Sequence, residues 1–254
     1  MKKGDESMYY ELEELFEDEI VSIEIVLNYL SRMIDMPKHN RFKEIGIEKI
    51  VESIDHYVSF EDKDLCSLID KLMASLKEAE LCYEMASNVS WADIKKYGKI
   101  IIDSKDIENN YYFALNIEGS DVLGHGNVII ESKDPEYNYL FAKYVKGANV
   151  LGHGQAVIMS ADIWYNYLFA KEVIGADVKG HGSVIIDSKD LHYNYTFAEE
   201  IDDCDTKRHC DVLLDSDKRE FYVKKVQEDT QYHLYPYFGI ERAKVKEKGI
   251  NKKN

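Results

Sequence analysis

The amino-acid sequence predicts an all-α protein, a solenoid of stacked helical hairpins with an N-terminal helical cap. Two observations predict it. His-Gly pairs recur at 125–126, 153–154 and 181–182, a step of 28 residues each time. Around them recur the related segments SKDIENNYYFALNIEGSDV (104–122), SKDPEYNYLFAKYVKGANV (132–150), SADIWYNYLFAKEVIGADV (160–178) and SKDLHYNYTFAEEIDDCDT (188–206). Self-similarity at a fixed period of this length is typical of solenoid repeats.

Capping residues predict two helices in each repeat. An aspartate precedes the first helix, where its side chain can accept a backbone hydrogen bond, and Pro135 suits the first helical position of one copy. A glycine then stands where a helix end favours a left-handed residue. The positions are Asp106, Asp134, Asp162 and Asp190 for the first cap, Gly119, Gly147 and Gly175 for the glycine, and Asp93, Asp121, Asn149, Asp177 and Asp205 for the second cap.

The second helix carries a helically spaced stripe, but it also holds features of a strand. Its stripe at i, i+3, i+4, i+7 and i+8 consists of Val122, His125, Gly126, Ile129 and Ile130. A further glycine at 124, 152 or 180 costs a helix about 1 kcal/mol against alanine. The alternative is therefore a strand–helix solenoid similar to leucine-rich repeats. The caps and the stripe favour helices.

The Phe-Ala pair of the first helix, the Gly-Ala-Asp or Gly-Ala-Asn turn and the Val-Ile-Ile run extend over residues 80–215. With these features the unit resembles the short helical-hairpin repeats of uncharacterised bacterial and phage proteins. The resemblance implies a helical solenoid and brings no activity, cofactor or catalytic residue. In such repeats leucine often stands in the histidine position, which implies a packing role for that position.

The flanks of the array differ from it in composition. We expect an acidic N-terminal helical region over 1–64, the repeat array over 65–231, and an aromatic then basic tail over 232–254. Helices are predicted over 5–35, 43–60 and 64–79, with a break at Met36-Pro37, and a terminal capping helix over 220–231.

The charge is strongly acidic and unevenly distributed. The chain has a net charge of −16, with −11 over residues 1–90, −8 over 91–203 and +3 over 204–254. Such a surface repels phosphate backbones, which counts against nucleic-acid binding. It favours a partner with a basic surface, or serves solubility alone.

The sequence also indicates a compartment. We expect no signal peptide after Met1, and no apolar run approaches the roughly 20 residues of a membrane span. Four cysteines without a CxxC pair indicate reduced thiols. The prediction is a cytoplasmic protein.

Two polar columns accompany the apolar stripes, and we interpret both as structural. Equivalent atoms in stacked helices lie roughly 10 Å apart, so the histidines at 125, 153, 181 and 209 cannot share one metal ion. We expect each to pack between helices and bond a neighbouring carbonyl or aspartate, with pH sensitivity as the alternative. We expect the asparagines at 110, 138, 166 and 194 to bond the turn of the next repeat. A base-reading code is the alternative, but such codes vary between repeats and this column is constant.

The tyrosines admit two interpretations. Tyr111, Tyr139, Tyr167 and Tyr195 line either the seam between repeats or an exposed aromatic stripe. The side chains predicted to contact a partner are Tyr137, Tyr144, Trp164, Tyr165 and Tyr193.

No nucleophile elbow, P-loop, GxGxxG or HExxH motif occurs, which indicates a protein that is not an enzyme and has no cofactor or metal. The predicted function is binding of another protein, as an acidic inhibitor or decoy on a basic, nucleic-acid-binding surface. The alternative is a repeat module that binds RNA or a small ligand.

Overall fold

A computed structural model describes residues 22–34, 47–59, 61–229 and 231–240. These residues form fourteen helices and no strand, so the all-α prediction is confirmed and the strand–helix alternative is wrong. The predicted helix over residues 5–21, the break at Met36-Pro37 and the basic segment 241–254 lie outside the described residues.

The chain divides into two compact units, residues 1–128 and 129–254. The first unit contains α1 (Ile23–Met33), α2 (Ile47–Tyr57), α3 (Lys63–Leu76), α4 (Ala79–Asn88), α5 (Ile94–Ser104), α6 (Ile107–Asn116) and the start of α7 (Val122–Ser132). The second continues with α8 (Pro135–Tyr144), α9 (Val150–Ser160), α10 (Ile163–Glu172), α11 (Val178–Ser188), α12 (Leu191–Glu200), α13 (Thr206–Leu214) and α14 (Arg219–Glu228).

Each unit packs as stacked hairpins. In the second unit α8 and α9, α10 and α11, and α12 and α13 form antiparallel pairs. The first helices α8, α10 and α12 also pack on one another in order, as do the second helices α9, α11 and α13. In the first unit α4 and α5 form such a pair, and α1 to α3 precede it as the N-terminal helical cap. Contact with the preceding and following repeat only is the packing of an α-solenoid.

The 28-residue register extends beyond the region where the sequence motif fades. Helix α14 begins and ends 28 residues after α12, so it is the first helix of a further repeat. Its second helix is missing, because residues 231–240 form turns instead. Leu234 and Tyr235 from these turns are buried against Tyr222 and Val226 of α14. The expected terminal capping helix is therefore a half-repeat closed by an aromatic turn.

Caps define both helices, as predicted. The Asp134 side chain accepts from the backbone N–H of Tyr137 at 3.0 Å, and Asn149 accepts from Gly152 at 3.1 Å. Gly119, Gly147 and Gly175 have φ of 81°, 87° and 85°, so the left-handed prediction is confirmed. They lie in the turn after an extended capping residue rather than at the helix end itself.

The second helices end in left-handed residues that the sequence pattern did not predict. Lys77, Lys105, Lys133, Ala161 and Lys189 have φ between 54° and 60°. A side chain at such a φ is strained by contact with the backbone, and glycine usually takes this place at helix ends. The repeat therefore holds strain at the start of every following helix.

Candidate functional site

The most regular polar feature is a buried ladder of histidine and asparagine. In one hairpin, Nδ1 of His153 lies 2.8 Å from Oδ1 of Asn138. The Asn138 amide donates to the carbonyls of Ile129, at 2.9 Å, and Asp134, at 2.7 Å. Because both amide hydrogens are used, Oδ1 must accept, which assigns the imidazole hydrogen to Nδ1. The pairs His125–Asn110, His181–Asn166 and His209–Asn194 repeat the arrangement at 2.8 Å.

The other imidazole nitrogen, Nε2, has no hydrogen-bond partner in any of the four histidines. Each ring is fully buried and packs on a phenylalanine, as in the pair Phe169–His181 with centroids 4.7 Å apart. A Cβ on Gly154 would lie 3.4 Å from Nε2 of His181, so the glycine makes room for the ring. Burial lowers the pKa of His125, His153, His181 and His209 to about 4, which keeps them neutral at neutral pH.

These contacts correct two expectations about bonding partners. The histidines pack between helices, but they bond an asparagine side chain rather than a backbone carbonyl or an aspartate. The asparagines bond the end of the preceding helix rather than the turn of the next repeat. Both columns are therefore occupied with holding the hairpins together.

The hairpin of α4 and α5 fills the same positions differently. Cys82 stands in the asparagine position and Tyr97 in the histidine position. The Tyr97 hydroxyl donates to Oδ1 of Asp70 at 2.8 Å, and Asp70 occupies the position of Gly98 one repeat earlier. Lys96 lies 3.3 Å from the other oxygen of this carboxylate. The role of Asp70 was not foreseen, although its 28-residue step from Gly98 could have indicated it.

The buried tyrosine column forms the seam between successive first helices. The Tyr139 hydroxyl donates to the Glu172 carboxylate, and Lys143 donates to that hydroxyl at 2.8 Å and to the carboxylate at 2.5 Å. Tyr167, Lys171 and Glu200 repeat this arrangement, and Tyr195, Lys225 and Asp229 end it. Since Tyr111, Tyr139, Tyr167 and Tyr195 are buried, the structure supports the seam interpretation for this column.

The residues predicted to contact a partner do not form one group. The Trp164 side chain is 47% exposed and lies edge-on to Tyr193, with ring centroids 6.4 Å apart. Both rings pack on buried Tyr167. Tyr165 and Tyr137 are half-buried in the same column as Tyr193. Tyr144, 52% exposed, stands at the other end of its helix, with Lys143 Nζ 4.8 Å from its ring centroid.

Two further side chains belong to this face. Burial and a hydrogen bond with Glu136 raise the pKa of Tyr165 to about 12, and Asp134 and Asp162 contribute to the shift. Phe221 continues the tyrosine column on α14 and is exposed. The sequence prediction missed Phe221 because the motif around it has faded, although it lies 28 residues after Tyr193.

The described residues contain no group of three or more His, Cys, Asp or Glu side chains placed to hold a metal ion. In the same part of the chain, no helix has the length and apolarity to cross a bilayer. A groove of about 570 Å³ opens beside α13, where Lys189, Arg208, Asp211 and Asp215 give it charges of both signs. Its charges balance and specify no ligand.

Comparison of the chain with protein-family models, with curated proteins and with solved structures found no match.

Proposed function

We propose that this chain is a non-enzymatic, protein-binding repeat protein, an acidic inhibitor or decoy that occupies a basic, nucleic-acid-binding surface of a target. The observation that carries the proposal is the charge: residues 1–203 have a net charge of −19. A partner that binds nucleic acid offers the complementary surface, and electrostatic complementarity speeds association and selects such partners.

The use of the polar side chains supports a binding role. The buried histidines and asparagines bond one another and the helix ends. The lysines beside the buried tyrosines bond the next repeat. What remains for a partner on the second unit is its acidic surface and its exposed aromatic side chains, among them Trp164 and Phe221.

The class and compartment belong to the same proposal. The repeat unit places the chain with the short helical-hairpin repeats of bacteria and phages, and its place of action is the cytoplasm. The four cysteines support a reducing compartment, because all of them are free thiols.

The test is capture of partners by the immobilised full chain from a host lysate, with washes at about 50 mM and about 300 mM salt. We expect captured proteins to bind nucleic acid, to elute at the higher salt, and to lose their nucleic acid when the chain is added. A filter-binding titration of the chain with random-sequence RNA at low salt is the second arm. Retention of RNA would overturn the decoy proposal in favour of an RNA-binding module.

A further inference from the structure

An exposed aromatic and acidic surface lies near the N-termini of the first helices of the second unit. We call it the Trp164 surface and define it by Glu136, Trp164, Tyr165 and Tyr193. These side chains come from α8, α10 and α12, which pack on one another in order. The seam behind the surface is closed, because Trp164 and Tyr193 both pack on buried Tyr167. The surface is therefore held in place by the repeat stack.

The chain provides its own cations for the seam tyrosines but not for Trp164. Lys143 lies 5.2 Å from the Tyr139 ring centroid, and Lys171 lies 5.2 Å from that of Tyr167. Within the described ranges, no lysine or arginine lies over the Trp164 ring in this way. Indole is the side-chain ring that attracts cations most strongly. The ring best suited to a cation is thus left open.

The charge of the surface is also left without a cation. The Glu136 carboxylate bonds the Tyr165 hydroxyl, and no lysine or arginine of the described segments forms an ion pair with it. Asp134 and Asp162 act on the same hydroxyl, while each caps a helix through a backbone N–H. Negative charge and an open indole therefore occur on neighbouring first helices, α8 and α10.

We propose that the Trp164 surface binds an arginine side chain presented by a basic segment of the partner protein. The guanidinium stacks on the Trp164 indole and pairs with the Glu136 carboxylate. Arginine fits both contacts, because its guanidinium is planar and weakly hydrated and donates in a fork that matches a carboxylate. A lysine ammonium is more strongly hydrated and cannot stack. This inference rests on the proposed function and names the surface that performs it.

The test titrates the full chain into a labelled oligo-arginine peptide with blocked ends and follows fluorescence anisotropy. We expect Trp164→Ala to weaken binding at least about fivefold and Glu136→Gln about threefold. Two controls are matched to these changes. Asp187→Asn removes the same charge from an exposed position on α11, and Leu151→Ala removes an exposed apolar side chain from α9. Both should stay within about twofold of the parent, because contacts outside a binding surface contribute little.

A second arm compares oligo-arginine with oligo-lysine of the same length, and we expect arginine to bind more tightly. Circular dichroism checks that every variant keeps its helices. If all four substitutions weaken binding equally, or if lysine binds as well as arginine, the Trp164 surface is not the site, while the acidic decoy proposal stands. If the parent binds neither peptide at low salt, the proposed preference for basic partners is itself overturned.

Discussion

The hairpin of α4 and α5 and the hairpins of the second unit fill one buried position in two ways. In the second unit a neutral histidine donates to an asparagine, whose amide donates to two carbonyls. In the α4–α5 hairpin Tyr97 donates to Asp70, and Cys82 replaces the asparagine. Three positions therefore change together, those of the asparagine, the histidine and the glycine of the preceding repeat.

This difference teaches that the position requires a satisfied donor rather than one residue type. A buried polar group without a partner costs about 1–3 kcal/mol, so a lone change is unfavourable. The carboxylate of Asp70 is partly exposed and pairs with Lys96, which makes its charge tolerable beside a tyrosine. The histidine hairpins have no such outlet, because each ring is fully buried.

The largest expected effect that separates the two arrangements is acid lability. The unfolded chain protonates its histidines near pH 6.5, while burial holds the folded pKa near 4 in all four. The unfolded state therefore binds more protons in this window, and stability falls as the pH falls from about 6.5 toward about 4. With all four histidines the slope approaches about 5 kcal/mol per pH unit. The Tyr97 hairpin contributes nothing, because burial raises the tyrosine pKa.

Urea unfolding followed by circular dichroism at about pH 7.5, 5.5 and 4.5 measures this slope. The nearest charges are Asp121, Asp177 and Asp205, which raise the pKa of their histidines, and Arg208, which lowers that of His209, all with smaller effects than burial. His181→Leu is the control and should reduce the slope by one proton. A stability that changes by less than one proton's worth across the window would contradict the neutral ladder.

The next effect compares the same truncation in both hairpins. Asn166→Ala leaves the buried His181 Nδ1–H without an acceptor and should cost about 2–4 kcal/mol. The Val157 carbonyl keeps a bond from Ser160 at 2.7 Å, so the histidine bears most of the loss. Cys82→Ala removes one sulfur from the equivalent position and should cost about 1 kcal/mol. Unfolding in urea measures both, and equal losses would show that the ladder adds nothing beyond packing.

The smallest effect concerns the left-handed residues that end the second helices. Ala161 has φ of 56°, so Ala161→Gly should stabilise the protein by about 0.5–1 kcal/mol through relief of strain. Ala156→Gly in the interior of the same helix should destabilise it by about 1 kcal/mol or more. Thermal unfolding should move by about 2–4 °C in opposite directions. Shifts of the same sign would disprove strain at the helix end.

Much of the fold was predictable because periodic side chains and caps act locally. Asp134 and Asn149 bond backbone groups three residues away, so their role is visible in the sequence alone. The left-handed Lys105 and Ala161 escaped prediction because neither residue type favours that conformation. The register of α14 also escaped, since its residues share the step but not the motif.

The candidate surface was predictable only in part. Trp164, Tyr165 and Tyr193 were named from composition and spacing, and the structure shows two of these rings in contact. Glu136 was not foreseen, because its bond to Tyr165 joins residues 29 apart on neighbouring first helices. Tyr144 belongs elsewhere, because its position at the end of α8 separates it from the others.

By itself the sequence determined the helical class, the 28-residue period, the caps and the acidic charge, because each follows from local spacing or from composition. The tertiary structure decided which partners the buried polar groups find. The bonds from His153 to Asn138, from Tyr97 to Asp70 and from Tyr139 to Glu172 join residues on different helices. A donor and an acceptor must approach within about 3 Å to bond, and only the packing of one helix against another fixes such a distance.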